Sequence, residues 1–171
     1  PCVLTCNHVS FVDWFLIASG VKRPIRFVMH YTFFNIPFIK FIFKGAKVIP
    51  IASSKENPEI LKSAMDEISN ALSNGDMVCI FPEGKITGDG ELNPFKPGIE
   101  KIIERNPVKV IPMTIHGLWG SFFSRKFGRA MSNPLVIPKT IWSKIDLKIH
   151  DPIAPEQVSA QDLENFTRDK L

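Results

Sequence analysis

Several common features are missing from this sequence, and each absence narrows what it can be. Its three cysteines, Cys2, Cys6 and Cys79, lie among apolar neighbours with no even spacing. No disulfide framework is expected, and a reducing compartment fits best. No run reaches the roughly 20 apolar residues of a membrane-spanning helix. The longest apolar region, Phe33 to Ile51, is broken by Asn35, Pro37, Lys40, Lys44 and Lys47. No signal peptide, internal repeat or low-complexity linker is visible in these residues. The chain opens inside what reads as a strand, so a piece of a longer polypeptide is expected.

Acidic charge is missing locally. No Asp or Glu lies between Trp14 and Lys55, while Lys22, Arg23, Arg26, Lys40, Lys44, Lys47 and Lys55 are all basic. A second acid-free stretch, Gly117 to Ile145, carries Arg125, Lys126, Arg129, Lys139 and Lys144. There is one Tyr against 14 Phe, so the aromatic area comes without a polar handle. Basic charge mixed with large apolar side chains suits an anionic lipid surface. A solvated basic face beside a Phe-rich core gives the same composition. Trp119, Phe122, Phe123 and Phe127, with Arg125, Lys126 and Arg129, read either as a membrane-docking segment or as core packing. No nucleic-acid recognition motif is present, so no nucleic-acid partner is expected.

The 171 residues suit a single domain over the whole chain, with a sizeable core. Strands read at Pro1 to Cys6, Ile25 to Met29, Lys47 to Ile51, Met77 to Phe81, Val108 to Ile115 and Ile145 to His150. Pro50 places the third of these at an edge or a strand end. Met77 to Phe81 is a continuous apolar run of the kind buried in the middle of a parallel sheet. Helices read at about Ser10 to Ser19 and near Gly98 to Arg105, with a last one opened by Ser159-x-x-Asp162, and Asn35 to Phe43 reads as a short apolar helix or an interfacial segment. The clearest helix begins at Asn57-Pro58, carries the stripe Ile60, Leu61, Ala64, Met65, Ile68 and Leu72, and stops at Asn74-Gly75. Alternation of strand and helix predicts an α/β fold, a mostly parallel central sheet flanked by helices, with its site beyond the carboxyl ends of the strands.

Two constellations sit at such ends. In Asn7-His8-Val9-Ser10-Phe11-Val12-Asp13 a histidine precedes a helix and a carboxylate follows five residues later. Residues five apart on one helix are about 140° apart around its axis, so His8 belongs to the turn before the helix and folds back toward Asp13. A carboxylate on one ring nitrogen fixes the tautomer and leaves the other to accept a proton from a hydroxyl. Ser10-x-x-Asp13 taken alone also reads as a capping box. The second constellation is Phe81-Pro82-Glu83-Gly84-Lys85, at the end of the buried strand. Gly84 permits close backbone approach to a ligand, Glu83 can accept hydrogen bonds and Lys85 can meet a phosphate. A surface turn with two solvated charges is the plainer alternative. His30, His116 and His150 lack metal-ligand spacing, and Cys6 reads as a core residue rather than a nucleophile.

Together, and in this order, the two motifs resemble the glycerolipid acyltransferase family, typified by enzymes acting on 1-acylglycerol-3-phosphate. N-H-x4-D is that family's first block and F-P-E-G its third. Val110-Ile111-Pro112 matches the fourth, and Gly45 with Val48-Ile49 the second. The resemblance implies an O-acyltransferase in which His8 deprotonates the acceptor hydroxyl, Asp13 orients His8, and Asn7, Glu83, Gly84 and Lys85 hold the acceptor. It implies no cofactor or metal, an acyl-CoA or acyl-carrier protein co-substrate, and a membrane lipid acceptor met at the cytoplasmic face. Two departures stand out: Lys85-Ile86-Thr87 replaces the family's usual Thr-Arg-Ser, and Ile51 stands where the second block ends in Arg. Lysine is a point charge where arginine binds bidentately, so an acceptor with a singly charged phosphodiester is expected. The third block and Gly117 to Ser121 look closest to acyltransferase domains fused to transporter or acyl-activating domains. A non-catalytic lipid-binding domain and a thioesterase are the rival readings.

Overall fold

The structure, a computed structural model, describes residues 1–35, 37–121, 123–126 and 144–171, with only the backbone course for 37–40. Phe122, Phe127, Arg129 and Lys139 lie outside the described residues.

In chain order the elements are β1 (Cys2–Cys6), α1 (Asp13–Gly20), β2 (Ile25–His30), a 3-10 turn (Tyr31–Asn35), α2 (Pro37–Gly45), β3 (Ile49–Ile51) and α3 (Pro58–Ser73). There follow β4 (Met77–Ile80), α4 (Gly98–Arg105), β5 (Val110–His116), β6 (Asp146–Ile149), a 3-10 turn (Pro155–Gln157) and α5 (Ala160–Lys170). The strands form one sheet in the order β3-β2-β4-β1-β5-β6. Every pairing is parallel except that of β5 with β6. As Pro50 requires, β3 is an edge strand, and β4 is internal.

Alternation along the strands divides the core into two layers. Val3, Val78, Ile80 and Val110 face α3, α4 and α5, packing on Ile68, Ile99, Ile102 and Leu163. Cys2, Leu4, Cys6, Met77 and Cys79 face the other way, toward Ile17 of α1 and Phe43 of α2. Each large apolar side chain buried there contributes about 1.5–3 kcal/mol. Local signals mark several ends: the Asn57 side chain accepts from Ile60 N–H, and Ser159 caps α5 by accepting from Asp162 N–H.

Among the boundaries that differ from expectation, two have a local cause. The first helix begins at Asp13, not Ser10, because residues 8–12 form a turn that Asp13 itself holds together, as described below. The segment from Asn35, expected as a short helix or an interfacial segment, is a 3-10 turn ending there, then α2 from Pro37; Pro37 lacks an N–H and suits a first helical position.

The connection leaving β1 goes to α1 on one face, while the connection leaving β4 runs to α4 on the other. These strands are neighbours. Adjacent strands whose connections diverge to opposite faces open a crevice at their carboxyl ends. Both sequence constellations lie there.

Candidate active site

His8 sits one residue beyond Asn7, which follows β1. Its Nδ1 lies 2.7 Å from Asp13 Oδ2. The same oxygen accepts the backbone N–H groups of Val9 at 2.8 Å and Ser10 at 3.0 Å, and Ser10 Oγ accepts from Val12 N–H. One carboxylate thus ties three groups of a tight turn to the start of α1, which is why the helix cannot begin earlier. Ser10 is not the cap of α1, since Val12 precedes the helix and no side chain caps it; Asp13 instead serves the turn and the His8 ring together.

Asp13 is fully buried, whereas the His8 side chain is 20% exposed. An ionised carboxylate only accepts, so His8 Nδ1 carries the hydrogen and Nε2 carries the lone pair. Nε2 makes no hydrogen bond among the described residues. The ring stacks on Phe81, centroids 4.1 Å apart and planes 18° from parallel, so its orientation is fixed from both edge and face. Asp13 Oδ1 is buried with no hydrogen-bond donor among the described residues.

The other candidates divide by exposure. Asn7 and Glu83 are each 1% exposed. The Asn7 amide is spent on Ile115 of β5, donating to its carbonyl at 3.0 Å and accepting its N–H at 2.8 Å. This clamp fixes the end of β1 against β5, and losing it leaves buried backbone groups unpaired at about 1–3 kcal/mol. Glu83 Oε1 accepts His8 N–H at 2.6 Å, and Oε2 accepts both the backbone and side-chain N–H of Asn93 at 2.8 Å. Burial pushes the Glu83 carboxyl up from the usual range, against the hydrogen bonds from Asn93 and His8 that hold it down. Asn7 and Glu83, expected to hold an acceptor, thus have their hydrogen-bonding groups turned inward and brace the His8 turn. Gly84 and Lys85 are exposed. Gly84 has φ +66°, a conformation that glycine adopts without strain.

Sequence reasoning missed Asn93, because a partner ten residues from Glu83 across a loop leaves no spacing signal. It also did not place Trp119, Ser124 and Arg125, which lie against residues of the His8 turn and of the loop after β4. Ser124 bridges to Ser10, and the Arg125 guanidinium lies 5.6 Å from the centre of the Phe11 ring. Trp119 lies against Gly90, where a Cβ would come within 2.6 Å of its Nε1.

The remaining groups fall into place. The Cys6 thiol is pushed well up by burial and by the nearby Cys79, Asp13 and Glu83, so no thiolate competes with His8. His116 and His150 both meet Thr114 Oγ1 at 3.0 Å, and burial lowers both rings. No group of three His, Cys, Asp or Glu side chains converges as metal ligands among the described residues. A surface depression lined by Glu100, Glu104, Pro107 and Glu156 contains no residue of the His8 turn or the Glu83 loop, and its carboxylates suit neither a phosphate nor an acyl chain.

The chain is similar to known acyltransferases in sequence and in fold. Over 117 residues the chain is 31% identical to a chloroplastic 1-acyl-sn-glycerol-3-phosphate acyltransferase of Brassica napus, covering 68% of this chain and 33% of that protein. A probable 1-acyl-sn-glycerol-3-phosphate acyltransferase of Mycoplasma pneumoniae is 24% identical, covering 95% of this chain and 62% of that one. The crystal structure of the 1-acyl-sn-glycerophosphate acyltransferase PlsC from Thermotoga maritima superposes with a TM-score of 0.70 at 24% identity, covering 98% of this chain and 64% of that one; it shares the fold. The chain spans about a third of the length of the Brassica relative. Residues 1–116, from β1 through the end of β5 and including both constellations, match the model of the Acyltransferase family, and the chain belongs to that family.

Proposed function

We propose that the protein transfers a fatty acyl group from an acyl thioester, acyl-CoA or acyl-carrier protein, to a hydroxyl of a lysophospholipid or 1-acylglycerol-3-phosphate. The observation that carries this reading is the buried Asp13 carboxylate on His8 Nδ1, with Nε2 left to accept a proton. His8 Nε2 takes the hydroxyl proton as the acceptor oxygen attacks the thioester carbonyl. The tetrahedral intermediate collapses, the carbon–sulfur bond breaks, and the imidazolium returns its proton to the departing thiolate. Asp13 holds the tautomer and offsets the charge on His8 while the proton resides there. The names of the relatives support a glycerolipid acceptor.

The reaction is read at a membrane surface, on the cytoplasmic face. Phe41 and Ile42 of α2 are 80% and 41% exposed, with the basic Lys44 and Lys47 following. Apolar side chains beside cations suit an anionic interface. No helix among the described residues is long and apolar enough to cross a membrane.

The test is acyl transfer from radiolabelled acyl-CoA and acyl-carrier protein to a panel of lysophospholipids in mixed micelles, with His8→Ala alongside. Product from the wild type, reduced at least about a hundredfold in the folded mutant, is the expected result. Free fatty acid in place of acylated lipid would make the protein a thioesterase. Silence with every donor and acceptor would leave a lipid-binding domain.

A further inference from the structure

The loop that follows β4 carries a cation that is adjacent to the catalytic turn only in three dimensions. Lys96 lies twelve residues beyond Gly84, yet a Cβ on Gly84 would stand 2.6 Å from Lys96 Nζ, 3.1 Å from Cε and 3.2 Å from Cδ. The end of the lysine therefore occupies the space that a side chain at position 84 would fill. Its backbone is fixed there too, since Lys96 N–H donates to the Pro82 carbonyl at 3.0 Å.

Gly84 is joined directly to the site of the base. Its N–H donates to the Phe81 carbonyl at 2.9 Å, the Phe81 ring stacks on His8, and Glu83 holds the His8 N–H. Lys85 and Lys96 thus flank one exposed glycine on the loop that braces the catalytic histidine. Their charges are not equally free. Lys85 interacts with Asp89, whose carboxyl is held below the usual range chiefly by the Glu91 N–H and the Thr87 hydroxyl, with Lys85 contributing. Lys96 is exposed and has no carboxylate within ion-pair distance among the described residues. The nearby Glu83 carboxylate is buried and accepts from His8 and Asn93 instead.

We infer that Lys96, lying over Gly84, binds the phosphoryl oxygens of the acceptor and makes the site selective for phosphate-bearing over neutral acyl acceptors. This deepens the function proposed above and rests on it. An ammonium offers three donors and a full charge to an anion. The glycine beneath it leaves room for the lysine, which any larger residue at 84 would displace. The donor's phosphates have the same chemistry, and the experiment separates the two sources.

Lys96→Ala is compared with the wild type for transfer to lysophosphatidylglycerol and to monoacylglycerol, with separate KM values for acceptor and acyl-CoA. The ratio of kcat/KM for the phosphate-bearing over the neutral acceptor is expected to fall about 10- to 100-fold, with the loss in acceptor KM. Lys96→Arg is expected to restore most of it. An unchanged ratio, or a loss confined to the KM for acyl-CoA, overturns the inference. A readout without turnover separates it from the proposed reaction: calorimetric binding of short-chain lysophosphatidylglycerol to the His8→Ala protein, with and without Lys96→Ala. Binding weakened by the second substitution supports the inference even if no acyl transfer occurs. Equal binding, or none with Lys96 present, overturns it even if transfer is robust.

Discussion

The molecule contains two histidine–carboxylate pairs, and they are built differently. His8 and Asp13 meet at 2.7 Å, with the carboxylate fully buried. His30, at the end of β2, and Glu56 meet at 2.9 Å, with both side chains about 40% exposed. Asp13 is also anchored by two backbone N–H groups within its own turn, whereas Glu56 lies at the surface with Tyr31 and the Ser53 backbone as its further partners. His8 uses one ring nitrogen and keeps the other; His30 uses both, with Thr32 Oγ1 on Nδ1 at 2.8 Å. The two pairs therefore differ in burial and in the ring nitrogens they use. What distinguishes the first pair is a fully buried carboxylate and a ring nitrogen with no hydrogen bond among the described residues.

Replacing the buried carboxylate should separate the pairs most widely. Asn at position 13 can present its amide NH₂ to a ring that must itself donate, which turns His8 to the wrong tautomer or orientation. Asp13→Asn is expected to lower kcat for acyl transfer about 10²- to 10⁴-fold, measured with saturating acceptor in mixed micelles. A loss below about threefold would mean that Asp13 only shapes the turn.

What the sequence disclosed, and what it hid, follows the same division between local and distant partners. The bounds of α3 were legible because Asn57, Pro58 and Asn74-Gly75 act on their own neighbours, and β4 because a buried parallel strand is apolar throughout. His8 and Asp13 were legible because their partnership spans five residues, and helix geometry alone says how they must meet. Asn7 and Glu83 were visible as motif residues, but their inward orientation was not: their partners, Ile115 and Asn93, lie 108 and 10 residues away. Lys96 carried no signal either, since its place over Gly84 depends on the path of the loop between them. The start of α1 was misjudged because a carboxylate inside the helix takes the N–H groups of the residues before it.

Glu83 offers a sharper and smaller contrast, since it supports the His8 backbone as Asp13 supports its ring. All three of its partners are N–H donors. A glutamine would have to aim its own N–H groups at some of them, loosening either the His8 turn or the Asn93 loop. Misplacing a base by about 1 Å can cost on the order of a hundredfold. Glu83→Gln is therefore expected to lower kcat roughly 10- to 100-fold with acceptor KM nearly constant. The opposite split, a raised acceptor KM with kcat intact, would show that Glu83 contacts the acceptor.

The smallest effect belongs to the exposed pair. Glu56 is held below the ordinary carboxylate range, first by its hydrogen bond from His30. A depressed folded-state value means that any stability it contributes is present above the unfolded carboxylate pKa, about 4.3, and is lost as pH falls through the folded value. Water competes for both partners and salt screens them, so the contribution at neutral pH is small. Glu56→Gln is expected to leave acyl transfer within about twofold and the urea midpoint at pH 7 scarcely changed, with the remaining difference vanishing in acid and at high salt. A transfer rate that fell as steeply with Glu56→Gln as with Asp13→Asn would mean that pairing itself makes the base, wherever it occurs. A rate indifferent to Glu56 would assign that property to burial and to the nitrogen left open.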